Sequence, residues 1–109
     1  MYPLCDQTVT VYRLSEGRIH RQVLVGCYLQ TAESRLPQDD RPQRTFLLVV
    51  PGPEAQILVG DRVVPGEGPQ ITLEGWQHFL PVSVPDLVVV GKTQRFYWEG
   101  QLSHTEATN

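Results

Sequence analysis

Histidine, cysteine and acidic residues are where chemistry would be carried in this sequence, and their spacing decides what they can do. His20, His78 and His104 stand far apart, with no HxH or HExxH pair and no cysteine at ligand distance, so no metal site is expected. Cys5 and Cys27 are separated by 21 residues and form no CxxC pair, which excludes a zinc knuckle and a thioredoxin-like motif. Two reduced thiols suit a protein made in the cytosol, with a disulfide as the alternative. His104, Thr105 and Glu106 bring a base and an acid together, but catalysis needs groups held by their neighbours, and the residues from Thr105 to Asn109 read as a frayed tail. A hydrolase built on His104 and Glu106 would lack a recognisable constellation. Gly60, Gly66 and Gly68 miss the strand-to-helix context and the lysine of a phosphate loop and read as turn glycines. The chain is therefore expected not to be an enzyme and to need no cofactor.

Binding is what remains. The stretch from Thr31 to Gln43 has no apolar stripe and carries Arg35, Asp39, Asp40 and Arg41, so it reads as a long polar loop and a candidate contact surface. Trp76, Phe79, Phe96, Tyr97 and Trp98 form an aromatic set expected mostly in the core, with Tyr97 facing away from Phe96 and Trp98 and therefore exposed. A net charge of −3 offers no basic footprint for nucleic-acid phosphates, so sequence-specific nucleic-acid binding is not expected. Apolar runs such as Phe46 to Val50 fall far short of the roughly 20 residues that span a bilayer, and the N-terminus lacks a secretory pattern, so no membrane segment and a cytoplasmic site of synthesis are expected.

The elements that must position these residues are short. With 109 residues, 40% hydrophobic and 19% charged, the chain has the size and composition of a single globular domain spanning 1–109. Nine glycines and nine prolines punctuate it into brief strands and turns. Thr8 to Arg13 alternates, with Val9 and Val11 on one face and Thr8, Thr10 and Tyr12 on the other. Gly17 suits a hairpin turn into a second strand from Ile19 to Gln30, whose Val23, Val25 and Cys27 share a face and whose Gly26 marks a bulge or bend. Thr45 to Val50 reads as a central strand buried on both faces, and Ile57 to Val64 as two extended pieces joined at Gly60 and Asp61. Leu73, Trp76, Phe79 and Leu80 allow at most one short helix. Asp86 to Val90 is a further strand, Gly91 to Thr93 a turn, and Arg95 to Ser103 a last strand. About six strands without βα alternation predict a mainly β fold, a small antiparallel β-barrel or sandwich with one long polar loop.

Several of these segments together resemble a family. Asp6-Gln7-Thr8-Val9-Thr10-Val11-Tyr12 after Met1-Tyr2-Pro3, then Val23-Leu24-Val25-Gly26-Cys27-Tyr28, are similar to the minor capsid, or head-tail connector, proteins of Gram-positive phages and prophages. Val59-Gly60-Asp61-Arg62-Val63-Val64 resembles the family's "GD.VV" strand, and Tyr97-Trp98-Glu99-Gly100 with His104-Thr105-Glu106-Ala107 its closing strand. The resemblance implies a structural, virion-assembly protein of the head-closure type. Its subunits would form a homo-oligomeric ring, bind portal or adaptor and tail proteins, and reside in the bacterial cytoplasm until they join the virion at the head-tail junction. Such a subunit can stay monomeric until a portal nucleates the ring. On that reading Arg35, Asp39, Asp40 and Arg41 contact a neighbouring subunit or the portal, since ring contacts are heterologous. The alternative, drawn from the residues alone, is a cytosolic β-barrel that binds a small ligand or peptide in a mouth lined by Trp76, Phe96 and Trp98.

Overall fold

Glu16 and Gly17 both take positive φ, 52° and 74°, and this pair of left-handed residues makes the two-residue turn that matches the natural twist of two strands. It joins β1 (Gln7–Ser15) to β2 (Arg18–Ser34), which pair antiparallel from Ser15 opposite Arg18 to Val9 opposite Leu24. The computed structural model describes residues 5–34, 43–52 and 56–109. Among them follow β3 (Gln43–Pro51), β4 (Arg62–Pro65), the single-turn helix α1 (Leu73–Trp76), β5 (Val88–Val89), β6 (Lys92–Trp98) and β7 (Gln101–Thr108). All pairings are antiparallel, in the order β5-β4-β1-β2-β3-β7-β6, and the sheet curls into a half-barrel. The mainly β expectation therefore holds, with seven strands and one short helix.

The two margins of this sheet, β5 and β6, belong to one segment interrupted only by Val90 and Gly91. At its start Val90 exchanges hydrogen bonds with β4's approach, its N–H to Asp61 O at 2.9 Å and its carbonyl to Gly60 N at 2.8 Å. One residue later Gly91 N–H donates to Thr108 O at 2.8 Å and the segment continues along β7. The turn expected at Gly91 to Thr93 is thus absent: the chain runs on, and that continuity brings both edges of the sheet together. The curl encloses a core of Val9, Val11, Leu24, Cys27, Leu48, Val50, Val63, Val88, Val90 and Ala107, among others.

Val9 and Val11 point into this core while Thr10 and Tyr12 point out, as the alternation predicts, yet all four are buried. The chain from Gly66 to Leu87 lies over the outer face and forms a second apolar cluster with Tyr12, Val64, Phe79 and Leu87 at its centre. Side chains lock that cover in place. Thr10 Oγ1 donates to Gly66 O at 2.7 Å and accepts from Gly68 N at 2.8 Å, and the Tyr12 hydroxyl donates to Pro69 O at 2.7 Å.

Five expectations need correction. Gly26, at φ +70°, forms a bulge between the Gln7–Cys27 and Val9–Leu24 pairs, so the side-chain parity changes there. Leu24 rather than Val25 joins Cys27 in the core, and Val25 is 76% exposed. Thr31 to Ser34 is not loop but the end of β2, paired with Gln43 to Phe46. β3 is interior in the sheet but buries one face only, with Phe46, Leu48 and Val50 inward and Leu47 and Val49 half-exposed. Arg95 to Ser103 is a hairpin, turning at Glu99 and Gly100, and the tail expected to fray from Thr105 onward is the core of β7, with Thr105 3% and Ala107 1% exposed. β7 is held because β3 and β6 pair with it on both sides.

Candidate functional site

β7 extends past β3 at one end, and β3 with β2 extends past β7 at the other. Leu47 lies opposite Thr108 and Pro51 opposite His104, so the first residues of β3 and the Glu99–Gly100 turn mark opposite ends of the sheet. Each end carries a two-stranded ribbon. The β2–β3 ribbon is polar, with Thr31, Ala32, Glu33, Arg44 and Thr45 exposed and an ion pair between Arg44 and Glu33 at 3.2 Å. Arg35, Asp39, Asp40 and Arg41, the expected contact residues, lie outside the described residues.

The opposite ribbon is aromatic. Tyr97 is 61% and Trp98 73% exposed at its tip, far more than large aromatics that serve a core. Tyr97 is thus exposed as the sequence suggests; Trp98, expected on the same side as Phe96, is exposed too. Just behind the tip Phe96 faces His104 across the strands, with ring centroids 4.6 Å apart and planes only 7° off parallel. His104 Nε2 in turn meets Glu106 Oε2 at 3.0 Å. The acid–base pair singled out in the sequence is a ladder on the ribbon surface, stiffening the strands beneath Tyr97 and Trp98 through cross-strand contact.

Two arginines organise the opposite part of the molecule. Arg13 donates from Nε and Nη2 to the two oxygens of Asp61, each at 2.8 Å, and this hydrogen bonding raises its pKa further above the ordinary value. Arg62 donates from Nη1 to the carbonyls of Trp76 and Phe79 at 2.6 and 2.9 Å, and its guanidinium lies 3.8 Å from the Trp76 ring centre. Burial lowers the Arg62 pKa from its ordinary value. The Gly60-Asp61-Arg62 segment is therefore structural: its acid anchors β1 to β4, and its arginine holds α1 and the following turn.

That turn walls an open groove of about 480 Å³, with Ile71, Phe79, Val84 and Pro85 among its apolar lining and the carboxylates of Glu67 and Asp86 beside them. Sequence reading registers these residues only as breakers and a weak helix, because the groove is assembled from three separated loops. Trp76, Phe96 and Trp98 do not converge on it: Trp76 packs 6.4 Å from Phe79 under Arg62, and Phe96 and Trp98 belong to the distant ribbon. Among the described residues no cluster of three or more His, Cys, Asp or Glu could hold a metal ion, and no helix is long and apolar enough to cross a membrane. No known family model matches the chain, and no curated protein or solved structure is significantly similar to it.

Proposed function

We propose that this chain is an assembly protein, a subunit resembling a phage head-tail connector that binds portal and tail components as part of a ring. One observation supports this reading above the others: a single small sheet carries two projecting ribbons at opposite ends, one polar and one tipped by exposed Tyr97 and Trp98. A connector subunit must hold different partners on two opposed sides, and two chemically unlike ends on a rigid curled sheet provide that. Exposed tryptophan and tyrosine are the side chains that most often anchor protein interfaces. The resemblance of Val59 to Val64, and of Tyr97 to Gly100 with His104 to Ala107, to the connector family points the same way.

The test is a tagged pull-down from the native host after prophage induction, with sedimentation of the lysate and identification of co-purifying proteins. Co-sedimentation with head-sized particles, or recovery of portal or tail proteins, is the expected result. Recovery as a lone chain despite active phage production overturns the reading and leaves the ligand-binding barrel, for which the open groove beside Phe79 is then the site to probe.

A further inference from the structure

The free edge of the aromatic ribbon offers a pairing surface. β6 stands last in the sheet and, among the described residues past Gly91, pairs with β7 alone, so one side of it shows backbone donors and acceptors to solvent. Every residue of β6 but Phe96 is exposed. β3 stops at Pro51, opposite His104, and the tip from Tyr97 to Ser103 therefore projects clear of it. Charges on such an edge ordinarily keep copies apart; here they carry both signs, in a fixed order.

Arg95-Phe96-Tyr97-Trp98-Glu99 runs from a cation through three aromatics to an anion. Laid antiparallel on a second copy about Tyr97, this run sets Arg95 across from Glu99, Phe96 across from Trp98 and Tyr97 across from its own counterpart. The faces agree as well. Side chains alternate along a strand, so Arg95 and Tyr97 share one side and Phe96 and Trp98 the other, and a two-fold axis perpendicular to the ribbon keeps each set on its own side. Glu99 opens the turn at φ 51°, directly after Trp98, where the long arginine side chain of the facing copy can meet it. Among the described residues neither Arg95 nor Glu99 is in an ion pair within the chain, so both charges are available.

We propose that two copies of this chain associate tip to tip, the edge of β6 against the edge of β6, with Arg95 of each facing Glu99 of the other and the aromatic rings packed between. The overlap is confined to the projecting tips, so the two bodies point away from each other. Such a contact is isologous and closes at two copies, which separates it from the heterologous contacts of the proposed ring. It covers the tip that the proposed function gives to a partner, and that partner must displace it. With five residues a side, it is small and therefore weak.

The experiment is sedimentation of the purified chain from about 1 μM to about 1 mM, the range in which a weak contact is read. The wild type should pass from monomer to dimer and stop there. Arg95→Glu and Glu99→Arg each set like charges across the contact twice and should each weaken association roughly tenfold. Mixed in equal amounts, the two variants should associate as the wild type does, because one then brings two acids and the other two arginines to the facing positions. That recovery also shows that both variants are folded. A wild type that remains monomeric throughout, growth beyond two copies, or a mixture no better than its components overturns the contact. None of these failures touches the connector reading, which stands or falls on the host pull-down.

Discussion

The guanidinium of Arg13 grips the carboxylate of Asp61 with Nε on Oδ1 and Nη2 on Oδ2, both at 2.8 Å, and Asp61 is 1% exposed. Asp61 Oδ2 also accepts from Leu58 N at 2.9 Å, so one carboxylate closes its own turn and ties β4 to β1. Asp61→Ala strands a guanidinium and an amide and should cost about 3 kcal/mol, the scale for breaking a buried pair. Urea unfolding should show this as a lower midpoint at unchanged slope. A loss below about 0.5 kcal/mol would rank the pair with ordinary surface contacts and refute its structural role.

Gly91 sits where β5 passes into β6, and a Cβ there would stand 2.6 Å from the backbone carbon of Asn109. Backbone cannot retreat as a side-chain tip can, so Gly91→Ala should push the end of β7 away and weaken the bond from Gly91 N to Thr108 O. Amide exchange at residue 91 and at the end of β7 should accelerate well before exchange in β1 and β2. Unchanged protection at both places would mean that the seam is not held by this close approach.

Arg62 supports the wall of the groove through two carbonyls and one indole face. Arg62→Lys keeps the charge but loses the planar stacking and the paired donation. It should lower stability by about 1–2 kcal/mol and shift Trp76 emission to longer wavelength, measured in a Trp98→Phe background so that Trp76 is the emitter. An unaltered spectrum would show that Trp76 is placed by other contacts.

The Cys27 thiol is fully buried, and its desolvation, with Cys5 adding to it, pushes its pKa from 9.0 to about 11. Its folded-state pKa lies above the unfolded value, so its contribution to stability is complete below pH 9 and is lost as pH rises toward 11. The wild type should therefore lose more stability across that window than Cys27→Ala does, compared by urea midpoints at each pH. Parallel pH curves for the two proteins would contradict the shift. Cys5, which is partly exposed, should react with a thiol reagent first.

Local order explains what could be read in advance. The alternation from Thr8 to Tyr12 assigns two faces to β1, Gly17 and Gly26 announce a turn and a bulge, and Tyr97 declares itself exposed. Apolar periodicity encodes which side chains leave water and needs no knowledge of the partner. The bulge's consequence was not legible, because the parity change at Gly26 depends on where β1 registers against β2. Nor was the order of the tail: Thr105 to Thr108 looks polar and terminal, and only pairing with both β3 and β6 holds it.

By itself the sequence determined that this chain builds a mainly β fold of antiparallel strands joined by turns. Tertiary structure alone decided the joining of β5 to β6, the pairing of Arg13 with Asp61 across 48 positions, and the groove walled by residues from 64 to 86. The reason is physical. Propensity and periodicity act over a few neighbours, whereas contacts between distant segments form only when many packing gains together outweigh the entropy of closing the intervening loops.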